Sequence, residues 1–288
     1  MNLLRPRFKL AVLLQVARMS SSSYHDANKR SYKPHQKHDD SIIRDIFAVR
    51  NDPEVEDPDG IGYRPMTRYI NTLRAERNEQ RVNEKRVLRI MRENQLLSTS
   101  FNKKVAKYNS FAGEGDKKHK NYIHRKFKTD RPLQKIGTDI LEARWGNKTT
   151  DERIYVSLFE DFFSGEILSY SISLHPNTEL VTDSLIPVIE LAKTAPYKTT
   201  IHSDQGIQYQ GGTYVGILKK AHVRQSMSRK GTPHDNAPTE SVIHQLRVGT
   251  TLNHHYKTRA ELESAIDNWI RYYNTKRIRS SNNWLTPN

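Results

Sequence analysis

Thr199-Thr200-Ile201-His202-Ser203-Asp204-Gln205-Gly206 is a short β-forming run that ends on an acid and a glycine. Thr199–His202 reads as a strand, because β-branched side chains favour extended backbone. Asp204-Gln205-Gly206 reads as the turn that stops it. Upstream, Val181, Leu185, Val188, Ile189 and Ala192 recur at helical spacing and predict a helix with one apolar stripe. Before that helix, Leu168, Tyr170, Ile172 and Leu174 alternate with polar residues, and Ser164-Gly165 supplies a turn. Ile154–Phe159 is a nearly continuous apolar run, the pattern of a strand buried on both faces. Ile136–Leu141 is a further short strand. Downstream, Tyr214–Ala221 and Pro238–Arg247 read as helices, and Leu262, Ile266, Trp269, Ile270 and Tyr273 stripe a final amphipathic helix. Three antiparallel strands, a helix, a fourth strand and more helices over 136–288 describe an α/β domain with a mixed sheet, of the ribonuclease-H type.

Three acids fall at the ends of these elements. Asp139 lies within the first strand, Asp204 directly after the fourth, and Glu240 in the first turn of a helix introduced by Asn236, Ala237 and Pro238. A first strand and its sheet neighbour bring two carboxylates together, and a helix packed on the sheet adds a third. Hard divalent cations such as magnesium take oxygen ligands, and carboxylates offset their charge. Two ions roughly 3.5–4 Å apart clamp the attacking and leaving oxygens of an in-line phosphoryl displacement. Each acid also has an ordinary reading: Asp204 as a turn residue, Glu240 as favourable charge at a helix N-terminus, Asp139 as an isolated strand residue. The chain has no cysteine, which excludes disulfides and thiolate metal sites.

The formal net charge is +15, which points to a polyanionic partner. Residues 1–135 carry 30 Lys and Arg against 16 Asp and Glu, whereas residues 136–288 carry 17 against 16. A basic front half joined to a near-neutral back half describes a DNA-gripping region attached to a separate folded domain. Residues 1–39 form a short helix and a basic tail. In this helix Leu10, Leu13, Leu14 and Ala17 share a face, and Gln15 and Arg18 argue against a signal peptide. No apolar run approaches a membrane span, so a cytoplasmic protein is expected. Residues 40–97 read as three short helices, Asp40–Arg50, Arg64–Arg77 and Glu84–Asn94, the last capped by Asn83. Its Lys85, Arg89 and Arg92 lie on one face, opposite Val87, Ile90 and Met91, as in a helix-turn-helix variant. Residues 98–135 read as a linker that tracks phosphates, rich in lysines such as Lys103, Lys104, Lys117 and Lys118.

The ordered set Gly137-Thr138-Asp139-Ile140, His202-Ser203-Asp204-Gln205-Gly206, Gln208-Tyr209, Ser226-Met227-Ser228-Arg229-Lys230-Gly231, Asp235-Asn236-Ala237-Pro238, Glu240-Ser241 and Tyr272-Tyr273-Asn274 resembles the integrase-type core of bacterial insertion-sequence transposases. The resemblance is to the second-reading-frame (OrfB) proteins of the insertion sequence three family. Gly62-Tyr63-Arg64 and Lys85-Arg86-Val87-Leu88 resemble that family's helix-turn-helix segment, so the match spans nearly the whole chain. It implies that Asp139, Asp204 and Glu240 are the catalytic acids and hold two Mg2+ ions, with Mn2+ as a substitute. It also implies a basic residue seven positions beyond the last acid, here Arg247, placed to hold DNA phosphate. Arg229 and Lys230 are further candidate DNA contacts. His202 is expected to shape the strand end or touch DNA, and Asp235 and Asn236 to form the turn and cap that aim Glu240. Val242 and Ile243 depart from the family's aromatic residues, and Gly249 from its frequent acid. The chain ends at Thr286-Pro287-Asn288, short of the length expected of relatives.

The implied function is metal-dependent cleavage and strand transfer of an insertion sequence, through a circular intermediate. A protein from an upstream reading frame (OrfA), separate or fused, is the implied partner, and a homo-oligomer on DNA the implied assembly. The alternatives are a catalytically inactive DNA-binding remnant acting as a regulator, and an integrase or nuclease of another mobile element.

Overall fold

The computed structural model describes residues 5–30, 36–101, 120–229 and 232–288. Its chain divides into two compact units, Met1–Phe47 and Ala48–Asn288, with the boundary in the last turn of a helix. The first unit holds α1 (Leu10–Val16), α2 (Ser21–Arg30) and most of α3 (Gln36–Arg50). The stretch expected to be a polar segment and basic tail is therefore helical in part. Its start is explained by Ser20, whose hydroxyl accepts the Ser23 N–H at 3.0 Å, an N-cap arrangement.

The second unit begins with two packed helices, α4 (Tyr63–Glu76) and α5 (Glu84–Glu93). Met66 and Ile70 of α4 and Val87, Ile90 and Met91 of α5 are buried. The turn between them is tied by Asn71, whose side-chain amide exchanges two hydrogen bonds with the backbone of Val82, at 2.9 and 2.8 Å. Asn83 caps α5 as expected, its side chain accepting the Arg86 N–H at 2.8 Å.

A five-stranded sheet follows, in the order β3-β2-β1-β4-β5. Its strands are β1 (Lys135–Arg144), β2 (Arg153–Asp161), β3 (Ile167–Ser173), β4 (Thr200–Ser203) and β5 (Arg224–Met227). The first three pair antiparallel, while β4 runs parallel to β1 and β5 parallel to β4. This is the ribonuclease-H-like arrangement expected from the order of elements. α6 (Thr178–Lys193) and α7 (Gly212–Lys220) cover one face, where Ile136, Phe159, Val181, Leu185, Ile201 and Tyr214 pack. α8 (Ala237–Arg247) and α9 (Arg259–Thr275) cover the other, with Leu141, Val156, Leu158, Val242, Leu246 and Trp269. β2 feeds both layers, which explains its nearly continuous apolar run.

The second half of the expected linker is bonded to this domain. The Lys120 carbonyl accepts the Met227 N–H, and the Tyr122 N–H donates to Ser226 Oγ at 2.9 Å. The Leu133 N–H donates to Asp161. Lys103, Lys104, Lys117, Lys118 and Lys230 lie outside the described residues.

Candidate active site

Gly137 sets the geometry. A methyl group at this position would stand 2.0 Å from Thr239 Oγ1 and 2.5 Å from the Phe162 ring. The missing side chain lets the first turn of α8 lie directly on β1. Side chains alternate along a strand, so Asp139, two residues on, projects from the same face as Gly137. In the parallel ladder Gly137 pairs with His202. Asp139, midway along β1, and Asp204, directly after β4, therefore each stand two residues beyond one register pair on adjacent strands.

The Asp139 residue is partly accessible, yet its carboxyl group is surrounded by protein. Burial holds it well above the usual carboxylate range, with the charges of Asp204 and Glu240 acting in the same direction. The Ile140 N–H, 2.8 Å from Oδ1, and the Arg247 guanidinium pull the other way. Asp204 is also raised by burial, against the Gly206 N–H that donates to its Oδ1 at 2.9 Å. Glu240 is raised by burial and by Asp204, opposed by His234. The three acids thus sense one another electrostatically. Among the described residues no three His, Cys, Asp or Glu side chains are gathered closely enough to hold one metal ion. The donors fit hard divalent cations in kind, all being carboxylate oxygens. The three carboxylates must still draw together for the set to close.

Tyr209 forms the floor. It is buried, its hydroxyl lies 3.5 Å from Thr138 Oγ1, and burial together with Asp139 and Asp204 raises its pKa far above normal.

The Integrase core domain family matches residues 129–233, and a second Integrase core domain family matches 221–287. InsK, a transposase of insertion sequence element IS150 in Escherichia coli K12, is 32% identical over 288 residues, covering 100% of this chain and 95% of that protein. The chain belongs to the insertion-sequence transposases with an integrase core. A transposase-like protein of Haemophilus influenzae is 34% identical over 207 residues, 72% of this chain and 92% of its own. Among solved structures, the HTLV-2 integrase catalytic core domain in complex with magnesium is 15% identical with a TM-score of 0.39, covering 56% of this chain and 97% of that one. The chain is thus a DNA transposase, a polynucleotidyl transferase of the DDE type, and the names that match it are those of the insertion sequence three family and its kin.

Several residues of the transposase take places that its sequence did not disclose. His202 is buried and spans two elements: Nδ1 lies 2.8 Å from Ser226 Oγ and Nε2 2.8 Å from the Asp235 carbonyl. Ser226 already accepts the Tyr122 N–H, so its hydroxyl donates to Nδ1, and Nε2–H donates to the carbonyl. Burial lowers the His202 pKa, in keeping with a neutral ring. Asn236 does not cap α8 with its side chain; its amide donates instead to the Thr138 carbonyl at 3.3 Å. The α8 N-terminus is thereby pinned to the residue before Asp139. Arg229, expected as a DNA contact, donates from Nε and Nη2 to Asp235 at 2.8 and 2.9 Å. Two of its donors are committed to a buried carboxylate, which leaves less of the guanidinium for phosphate. Arg247 is half-buried, two turns beyond Glu240 and within electrostatic reach of Asp139. Lys85, Arg89 and Arg92 are exposed on α5, where Arg89 pairs with Glu93 at 2.7 Å. Gly249, where the family pattern has an acid, gives its space to Trp269: a Cβ there would stand 2.0 Å from the indole Nε1.

Proposed function

We propose that Asp139, Asp204 and Glu240 hold two magnesium ions, or manganese in their place, for cleavage at insertion-sequence ends and joining of the freed 3′-hydroxyls to DNA. The observation that carries this reading is the placement of Asp139 and Asp204 two residues beyond one register pair, with Glu240 on the helix that Gly137 admits to the same face. Bound divalent ions supply activation of water or a 3′-hydroxyl and stabilise the leaving oxygen. The chain's own groups do the rest. The three carboxylates share out negative charge that burial makes costly unless it is compensated. Arg247 offers a phosphate partner beside them. The Asx-type bond from Gly206 fixes the Asp204 rotamer.

The exposed basic face of α5, with Lys85, Arg89 and Arg92, grips DNA phosphates together with the basic segment around Lys103, Lys104, Lys117 and Lys118. In this reading residues 40–97 are the DNA-binding region and 136–288 the catalytic core. The product of an upstream reading frame supplies recognition of the element's ends, the active form is a homo-oligomer on DNA, and the site of action is the bacterial cytoplasm at the nucleoid. Among the described residues no helix is long and apolar enough to cross a membrane.

A strand-joining assay with oligonucleotides carrying the element's ends tests this reading. Joined products that vanish on chelation of magnesium are expected. Cleavage without joining would indicate a nuclease, and binding without either a regulator.

A further inference from the structure

Asp235 is fully buried and its carboxylate receives five hydrogen bonds. Asn121 Nδ2 donates at 3.0 Å, Arg125 Nε at 2.7 Å, and Arg229 through its backbone N–H and two guanidinium nitrogens. Arg125 and Arg229 are half-exposed and lie over the carboxylate like a lid. Hydrogen bonds from Arg229, opposed by burial, and from Arg125 hold its pKa far below the usual carboxylate range.

An ion pair so placed is weak evidence for stability alone, because desolvation offsets most of the attraction. Its connections are more informative. The Asp235 carbonyl accepts His202, two residues before Asp204. The next residue, Asn236, donates to Thr138, one residue before Asp139. Asp235 itself lies in the 3-10 turn Pro233–Asn236 that leads into α8, which carries Glu240. Ser226 and Tyr122 extend the chain of bonds into β5 and the segment that precedes β1. Every candidate metal ligand is thus within a few residues of one bonded hub, and two of the hub's three donor residues, Asn121 and Arg125, come from that preceding segment.

We propose that Asp235 is a positioning residue for the three carboxylates, and that Asn121 and Arg125 belong to the construction of the active site. The inference rests on the reading of Asp139, Asp204 and Glu240 as metal ligands. Groups that orient ligands without touching the ion typically change metal affinity or activity by about 10–100-fold when removed. Removing the Asp235 charge frees two arginines, loosens the approach of α8 to β1 and β4, and leaves the ligands to be drawn together by the ion itself.

The test uses the full chain with Asp235→Asn and, separately, Arg125→Gln. Strand joining is titrated with magnesium and with manganese, alongside DNA binding and thermal melting. Positioning predicts folded proteins that still bind DNA, a half-activating magnesium concentration raised by about 10–100-fold, and partial recovery in manganese. A merely structural role predicts lower melting temperature and lower joining with the half-activating magnesium unchanged, and that outcome overturns the proposal. If Asp235→Asn does not fold, Arg125→Gln decides on the same readouts, because its side chain is half-exposed. Asp139→Asn run in parallel must abolish joining at every metal concentration. Activity in that variant would refute the three-acid reading itself, a failure distinct from that of Asp235.

Discussion

Glu160 shows how a single residue carries a pH signature into the fold. It is buried in β2, with Oε1 3.6 Å from Arg279 Nη1 and Oε2 without a hydrogen-bond partner. Burial pushes its carboxyl up to about 8 from an ordinary 4.5, against the pull of Arg279. A group whose folded pKa is raised is proton-bound in the fold and released on unfolding. Its stabilising contribution is complete below about pH 4.5 and is lost as pH rises through about 8. Glu160→Gln keeps the shape and removes the titration. The variant is expected to be the more stable protein at about pH 8, by on the order of 1–3 kcal/mol, with a flatter melting profile from about pH 5 upward. Parallel profiles for the two proteins would show that Glu160 does not titrate in this way. Nothing local in the sequence marks Glu160, because its cation comes from Arg279, far along the chain. The reading of Asp139, Asp204 and Glu240 as one set rests, by contrast, on the short, distinctive sequences beside each of them.

Among the elements, those with strong periodicity were readable and those without it were not. The hairpin β2–β3 and helices α6 and α9 follow their apolar patterns closely. β5, Arg224-Gln225-Ser226-Met227, has no such pattern; it is a strand because β4 and the Lys120 carbonyl supply hydrogen-bond partners. The Tyr272-Tyr273-Asn274 motif also proves to be architectural. Both tyrosines are buried, and the Asn274 amide exchanges two hydrogen bonds with the backbone of Ile167 on β3, at 3.0 and 2.9 Å. α5 is the element on which the DNA-binding reading depends. Replacing Lys85, Arg89 and Arg92 together by Ala leaves its buried face intact, since all three are exposed. Stability should change little, an exposed i,i+4 pair such as Arg89–Glu93 being worth about 0.3–0.5 kcal/mol. The slope of log affinity against log salt should become shallower by about 0.9 for each phosphate that α5 no longer neutralises. An unchanged slope would remove α5 from the DNA interface.

At the scale of the whole molecule, the excess positive charge and the candidate catalytic acids fall in different halves of the chain. Counts alone make the basic half a candidate DNA-gripping region and the near-neutral half a separate folded domain, but they do not show how the two are joined. Residues 120–134 read as linker because lysines and arginines dominate them, yet Arg125 reaches Asp235 across 110 positions, a partner that composition cannot announce. Asp235 is expected from the sequence to help form the turn that aims Glu240, but not to gather Asn121, Arg125 and Arg229 on one carboxylate.

The central claim is that Glu240 completes a metal-holding set with Asp139 and Asp204. Glu240→Gln keeps size and shape while removing a charge and one good metal ligand, so measuring strand joining in magnesium on this variant is the direct test, with DNA binding and melting recorded on the same protein. Joining should fall by orders of magnitude, since metal stabilisation of transferring oxygens is worth several kcal/mol and roughly 1.4 kcal/mol is tenfold in rate. DNA binding should be retained, and stability should change by well under about 1 kcal/mol, the worth of a charge at a helix N-terminus. Near-normal joining by folded Glu240→Gln protein would contradict the account.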